Sequence, residues 1–184
     1  MLPAEFETAL LSLREAALPR QVAIEEVPSP TRLAPWTAAL ALRTHREDDA
    51  DHPLASGRLV ILYDPEEQIG WNGRFRLIGQ MRAQIDADMA GDPLLGSYLW
   101  EVMHSCLEDA GAGYHDVNGT VTREISEAFG GLELRAGDLH VELRASWTPN
   151  TEYLSEHLAS WADLLVRTSG IAPLDFDDLE RDRA

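Results

Sequence analysis

The stretch GRFRLIGQMRAQID, Gly73 to Asp86, alternates side chains more cleanly than any other part of the chain. Phe75, Leu77, Gly79, Met81, Ala83 and Ile85 fall on one side. Arg74, Arg76, Ile78, Gln80, Arg82, Gln84 and Asp86 fall on the other. A period of two marks a strand with one buried and one wet face. Such a strand belongs in an antiparallel sheet, because parallel sheets are covered on both faces and read as unbroken apolar runs. The arginine side then has two readings. It is a solvated ladder of cross-strand Arg–Glu pairs, each worth about 0.2–1 kcal/mol, or it is a face that receives an anionic partner.

The rest of the chain supplies elements to surround that strand. Residues 3–18 read as an amphipathic helix with the stripe Phe6, Leu10, Leu13 and Ala17, stopped by Pro19. QVAIEEV is a short strand, and PSPTRLAP a rigid connection that cannot pair as a central strand. Residues 36–43 alternate as a strand or a short helix, and GRLVILY reads as a buried strand. The loop DPEEQIGWNG ends on Asn72-Gly73, residues that tolerate positive φ. Asp92-Pro93 opens a helix with Leu95, Leu99, Val102 and Cys106 on one face, and AGAG ends it.

Two further strands follow, VNGTVTREIS and LHVELRASW. In the second, Leu139, Val141, Leu143, Ala145 and Trp147 point inward, leaving His140, Glu142, Arg144, Ser146 and Thr148 on the wet side. Thr120, Thr122 and Glu124 join them if Val121 and Ile125 point inward. A last helix over 152–169 carries Leu154, Leu158, Trp161 and Leu165 on one stripe. The order is helix, four strands, helix, two strands, helix. It predicts a single α+β two-layer domain over residues 1–173, with a mainly antiparallel sheet of about five or six strands and helices on one face. An acidic, flexible tail over 174–184 is expected to follow. The order resembles that of the small acidic secretion chaperones with one strand added.

Charge and composition exclude several functions. The net charge is −17, which repels phosphate backbones and anionic lipid, so no direct nucleic-acid or membrane binding is expected. All 15 basic residues are arginine, which removes the side-chain Schiff base, the pyridoxal-phosphate anchor and the P-loop lysine. Cys106 is the sole cysteine, so neither an intramolecular disulfide nor a cysteine zinc cluster can form. Its neighbours make it a small buried hydrophobe. Acids occupy the N-terminal residues where a signal peptide would carry positive charge, and the apolar runs fall short of a membrane span, so a cytoplasmic location is expected.

No motif in the chain supplies a catalytic residue, a metal ligand or a cofactor site. The six histidines lack HExxH spacing. HREDDADH lacks the glycine and terminal glutamate of a calcium loop. No GxSxG elbow is present. GAGYHD runs from helix to strand, the reverse of a phosphate-binding turn.

Several strings in order, RLAP, GRLVILYDP, WNGRFRLI, DPLL, GTVTR, FGGL and VELRASWT, resemble the actinobacterial family catalogued as domain of unknown function three thousand. The likeness spans residues 3–173. It departs in the middle helix, where GSYLWEVM keeps only Trp100 of two expected tryptophans. The family carries no assigned activity, cofactor or catalytic residue, so the resemblance implies none. It places Arg74, Arg76, Thr120, Thr122, Arg123, Glu142, Arg144 and Trp147 inside the matching strings.

The leading expectation is a soluble, non-enzymatic binding or adaptor protein with a protein partner, a homodimer included. Its candidate contacts are Arg74, Arg76, Arg82, Thr122, His140, Glu142 and Arg144 on the polar sheet face, with Trp71 as an exposed aromatic anchor. The alternative is an enzyme acting on a small anionic substrate. Arg74, Arg76 and Arg144 would grip the anion, and Glu142 or Glu124 with His140 would move the proton. A third reading is an acidic partner or inhibitor of a basic nucleic-acid enzyme, acting through segments 47–51 and 175–182.

Overall fold

The computed structural model describes residues 1–45, 47, 51–134 and 138–169. Its strands are β1 Val22–Val27, β2 Trp36–Thr44, β3 Ala55–Tyr63, β4 Phe75–Gln84, β5 Tyr114–Glu124 and β6 His140–Pro149. They form one sheet in the order β1-β2-β3-β4-β6-β5, every neighbouring pair antiparallel. The helices are α1 Ala4–Ser12, α2 Ala87–Ala90, α3 Leu95–Asp109 and α4 Ser155–Ser169. This is the α+β architecture that the period-two strands predict. The expected tail over 174–184 lies outside the described residues, as do Arg46 and residues 48–50 of the charged loop. Among the described residues no helix is long and apolar enough to cross a membrane.

Local chemistry sets the boundaries and corrects several expectations. α1 gives way to a 3-10 turn at Leu13–Glu15; the buried face of α1 is Phe6, Ala9 and Ser12, Leu10 and Leu13 are half-buried, and Ala17, beyond the turn, is exposed. Residues 36–44 are a strand, not a helix. Asp86 does not continue the wet face of β4. Its carboxylate accepts from the Met89 N–H at 2.7 Å and starts the short helix α2, a cap worth about 1 kcal/mol. Asp92 likewise accepts from the Leu94 N–H at 2.8 Å, so Pro93 sits in a turn and α3 begins at Leu95. The AGAG stop is a Schellman motif: Ala112 N–H reaches the Leu107 carbonyl, Gly111 N–H reaches that of Glu108, and Gly111 has φ +74°.

All helices lie on one side of the sheet. α4 runs over β1–β4 and packs against α3, which covers β5. Leu77, Met81, Leu143 and Trp147 meet Leu158, Trp161 and Leu165 in a continuous core. The Trp161 ring lies directly on Gly79, and its Nε1–H donates to the Gln80 carbonyl at 3.0 Å. Any larger residue at position 79 would displace that indole. Beneath it, Trp147 Nε1–H donates to His157 Nδ1 at 3.0 Å, and burial pushes the His157 imidazole down to about 4. Cys106 is buried in the same layer, and its thiol is pushed up to about 12.

Candidate functional site

Among the described residues the opposite side of the sheet carries no helix, and the pairing register assembles it row by row. One row runs Ala41, Arg58, Gln80, Arg144 and Thr120 across β2, β3, β4, β6 and β5. The next runs Arg43, Ser56, Arg82, Glu142 and Thr122. Diagonal neighbours in a pleated pair stand about 7–8 Å apart. Arg82 therefore has Arg58 on one diagonal and Arg144 on the other. A row on the far side of Arg58 is apolar: Val27, Ala39, Val60 and Ile78, with Val27, Val60 and Ile78 half-buried.

Among the described residues the ladder of cross-strand Arg–Glu pairs, one of the two readings of this face, is not present. Arg82 and Glu142 are register partners, yet Glu142 accepts from Arg144 Nε along its own strand at 2.6 Å and from Gln80 Nε2 at 3.4 Å. Its pKa is low all the same: burial raises it, while the bonds from Arg144 and Gln80 and the charges of Arg144 and Arg82 more than reverse that effect. Arg82 instead donates to His140 Nδ1 at 3.1 Å. His140 is buried, and its Nε2 lies 2.5 Å from a Glu124 carboxylate oxygen. Among the described residues neither Arg58 nor Arg82 has a carboxylate within ion-pair distance. Arg43 reaches Glu47 at 3.6 Å.

The site residues read from the sequence divide into four groups. Arg82, Thr122, His140, Glu142 and Arg144 share the open face as expected. Arg74 does not. It lies one residue before β4 and pairs with Glu5 of α1 at 2.6 Å, an oxygen pair that Tyr63 also reaches at 3.0 Å. Glu5, by hydrogen bond and charge, raises the Arg74 pKa. Arg76 has the expected parity but is buried rather than wet. It donates to the hydroxyls of Thr148 at 3.0 Å and Ser146 at 2.9 Å, which donate onward to the Trp71 carbonyl and to Asn118 Oδ1. Burial lowers its pKa, against the charge of Asp116.

Arg76 is covered because two loops close over that end of the face. Gln68 Nε2 donates to the Leu33 carbonyl at 2.9 Å and joins loop to loop, while Ser29 bonds the open-face Thr37 hydroxyl at 2.8 Å. Trp71 is consequently half-buried, not the exposed anchor expected. Its neighbour Ile69 is the exposed residue. Ile125, expected to point inward, lies beyond the end of β5 and is exposed.

At the other end the face dips into a cavity of about 360 Å³ lined by His52, Ser56, Arg82, Gln84, Asp138 and His140. Sequence reasoning missed Arg58 because GRLVILY was read as wholly buried, Ser56 because the strand was begun at Gly57, and Arg43 because 36–43 was left between a strand and a short helix. Extending the alternation upstream through ASGRLV separates Ser56, Arg58 and Val60 from Gly57, Leu59 and Ile61. His52 and Asp138 come from loops and carry no periodic signal.

These features define a class: an antiparallel sheet walled by helices on one face, with a polar, arginine-bearing face that no described helix covers. The chain belongs to the family described as Protein of unknown function (DUF3000), whose profile matches residues 2–177. No curated protein and no solved structure matches it.

Proposed function

We propose that this is a non-catalytic binding protein that docks an acidic segment of a protein partner on its open sheet face. The observation that carries the reading is the row Arg58–Gln80–Arg144 lying beside the half-buried row of Val27, Val60 and Ile78. In a chain with 32 acids and 15 arginines, an arginine has carboxylates to choose from. Arg58 has taken none among the described residues. Arg58 and Arg82 are diagonal neighbours with backbone positions about 7–8 Å apart, within a Debye length at physiological salt, so the two, neither ion-paired among the described residues, repel one another, while Arg144 is already held by Glu142. An acidic peptide relieves that repulsion, and its apolar residues cover the neighbouring row. Arg74, Arg76 and Arg144 point to three different places, so the convergence that an anion-gripping enzyme would draw from them is missing. The acidic segments of the third reading fall largely outside the described residues.

The test is capture from native extract on immobilised protein, comparing the wild type with Arg58→Glu/Arg144→Glu and with Arg14→Glu, an exposed site on the helix side. A partner held by the wild type and Arg14→Glu, lost from the double variant and released by moderate salt, is expected. Equal capture by all three, or none by any, refutes the reading. Light scattering decides whether a second copy is that partner: a mass of 20.4 kDa at working concentration removes the homodimer.

A further inference from the structure

We infer that the cavity at the β3–β4–β6 end of the open face binds a small oxyanion, a carboxylate or a phosphoryl group, on the Arg82 guanidinium. The inference needs Arg82 and the cavity alone, so it stands apart from the docking of an acidic partner through Arg58 and Arg144.

A guanidinium has five donors and no acceptor, so the 3.1 Å contact from Arg82 Nη2 makes His140 Nδ1 the acceptor. The ring proton is then on Nε2, where Glu124 receives it at 2.5 Å. Glu124 is thereby engaged with the far side of the imidazole and does not neutralise Arg82. Glu142, directly opposite Arg82 in register, is engaged by Arg144 and Gln80. Each carboxylate near Arg82 on the neighbouring strands has thus been turned to another donor. One imidazole lone pair leaves most of the guanidinium fork open, which is the geometry that takes two oxygens of a carboxylate or phosphate side by side.

The surroundings suit an anion. Ser56 stands across from Arg82 on β3 with a hydroxyl to donate, and Arg58 and Arg144 on the diagonals add positive potential. The about 360 Å³ of space lies within the range of small-ligand pockets and exceeds what a bare phosphate fills. A ligand larger than its anionic group is therefore accommodated, with its oxyanion at Arg82.

The experiment titrates the full chain, 13C-labelled at histidine, with sodium phosphate and separately with sodium acetate, at ionic strength held constant with chloride. The His140 ring signals, assigned through His140→Gln, report on the site. A saturable shift with phosphate, acetate or both is expected at concentrations up to tens of millimolar. Arg82→Gln weakens it about tenfold or more, while Arg58→Gln leaves a saturable response. Phosphate alone identifies a phosphoryl ligand, and acetate alone a carboxylate. No saturable shift beyond chloride, or the same response in Arg82→Gln, overturns the inference. Because the docking test keeps Arg82 intact, failure of either reading leaves the other standing. Circular dichroism of Arg82→Gln checks its fold, and its exposed side chain makes that substitution tolerable.

Discussion

Acid is expected to destabilise this protein from inside its core, through one residue. His157 is 2% exposed, and its Nδ1 accepts the Trp147 indole N–H at 3.0 Å, an arrangement that requires the neutral ring. Burial lowers its pKa from 6.5 to about 4, against the charge of Glu156. In the unfolded chain the same imidazole titrates near 6.5. Above that pH neither state holds the proton, and the folded protein has its full stability. As pH falls from 6.5 to 4 only the unfolded state takes the proton up, so stability falls with it. Below about 4 both states are protonated and the loss levels off. At about 1.36 kcal/mol per unit the window amounts to about 3 kcal/mol, a large share of a typical domain's stability of about 5–15 kcal/mol. The assay is urea unfolding between about pH 7 and pH 4, comparing wild type with His157→Asn, whose Oδ1 stands where Nδ1 accepts from Trp147. Asp116 and Glu142, both with lowered pKa values, titrate in both proteins and cancel in the difference. The wild type should lose about 3 kcal/mol more than the variant across the window. Parallel profiles would refute the reasoning.

Two further outcomes follow from the core. Gly79→Ala places a methyl group inside the Trp161 ring and breaks the indole bond to the Gln80 carbonyl, so it should cost about 1–3 kcal/mol in urea. An unchanged midpoint with unchanged tryptophan fluorescence would mean that the ring has room to slide. Cys106, buried with its thiol pushed up to about 12, should resist a disulfide reagent at mildly alkaline pH and react at once in denaturant. Fast labelling of the native protein would contradict the packing.

What was legible in the sequence was whatever depends on neighbours a few residues away. Alternation placed Phe75, Leu77, Met81 and Ile85 inward and Arg82 outward, and the heptad-like spacing of Leu154, Leu158, Trp161 and Leu165 found the face of α4. What was not legible depends on partners distant in the chain. Parity assigned Arg74 to the open face, but a residue ahead of the first ladder position is free of the pleat, and Glu5, 69 residues away, takes it. Parity was right for Arg76 and its exposure wrong, since burial comes from two loops folding over its row. Arg82 and Glu142 were both on the correct side. Which of them would bond could not be read, because each had a competing partner that only the register brings near.

The strand order has a consequence for how the face comes into being. β1 to β4 form a local meander and β5 and β6 a hairpin, and the two join along a single seam between β4 and β6. The bonds of Arg76 to Ser146 and Thr148, of Gln80 to Glu142 and of Arg82 to His140 all cross that seam. Neither half contains the face in working form. It is complete only when the chain closes its most distant strand pairing, β4 with β6, the kind of long-range contact that slows folding.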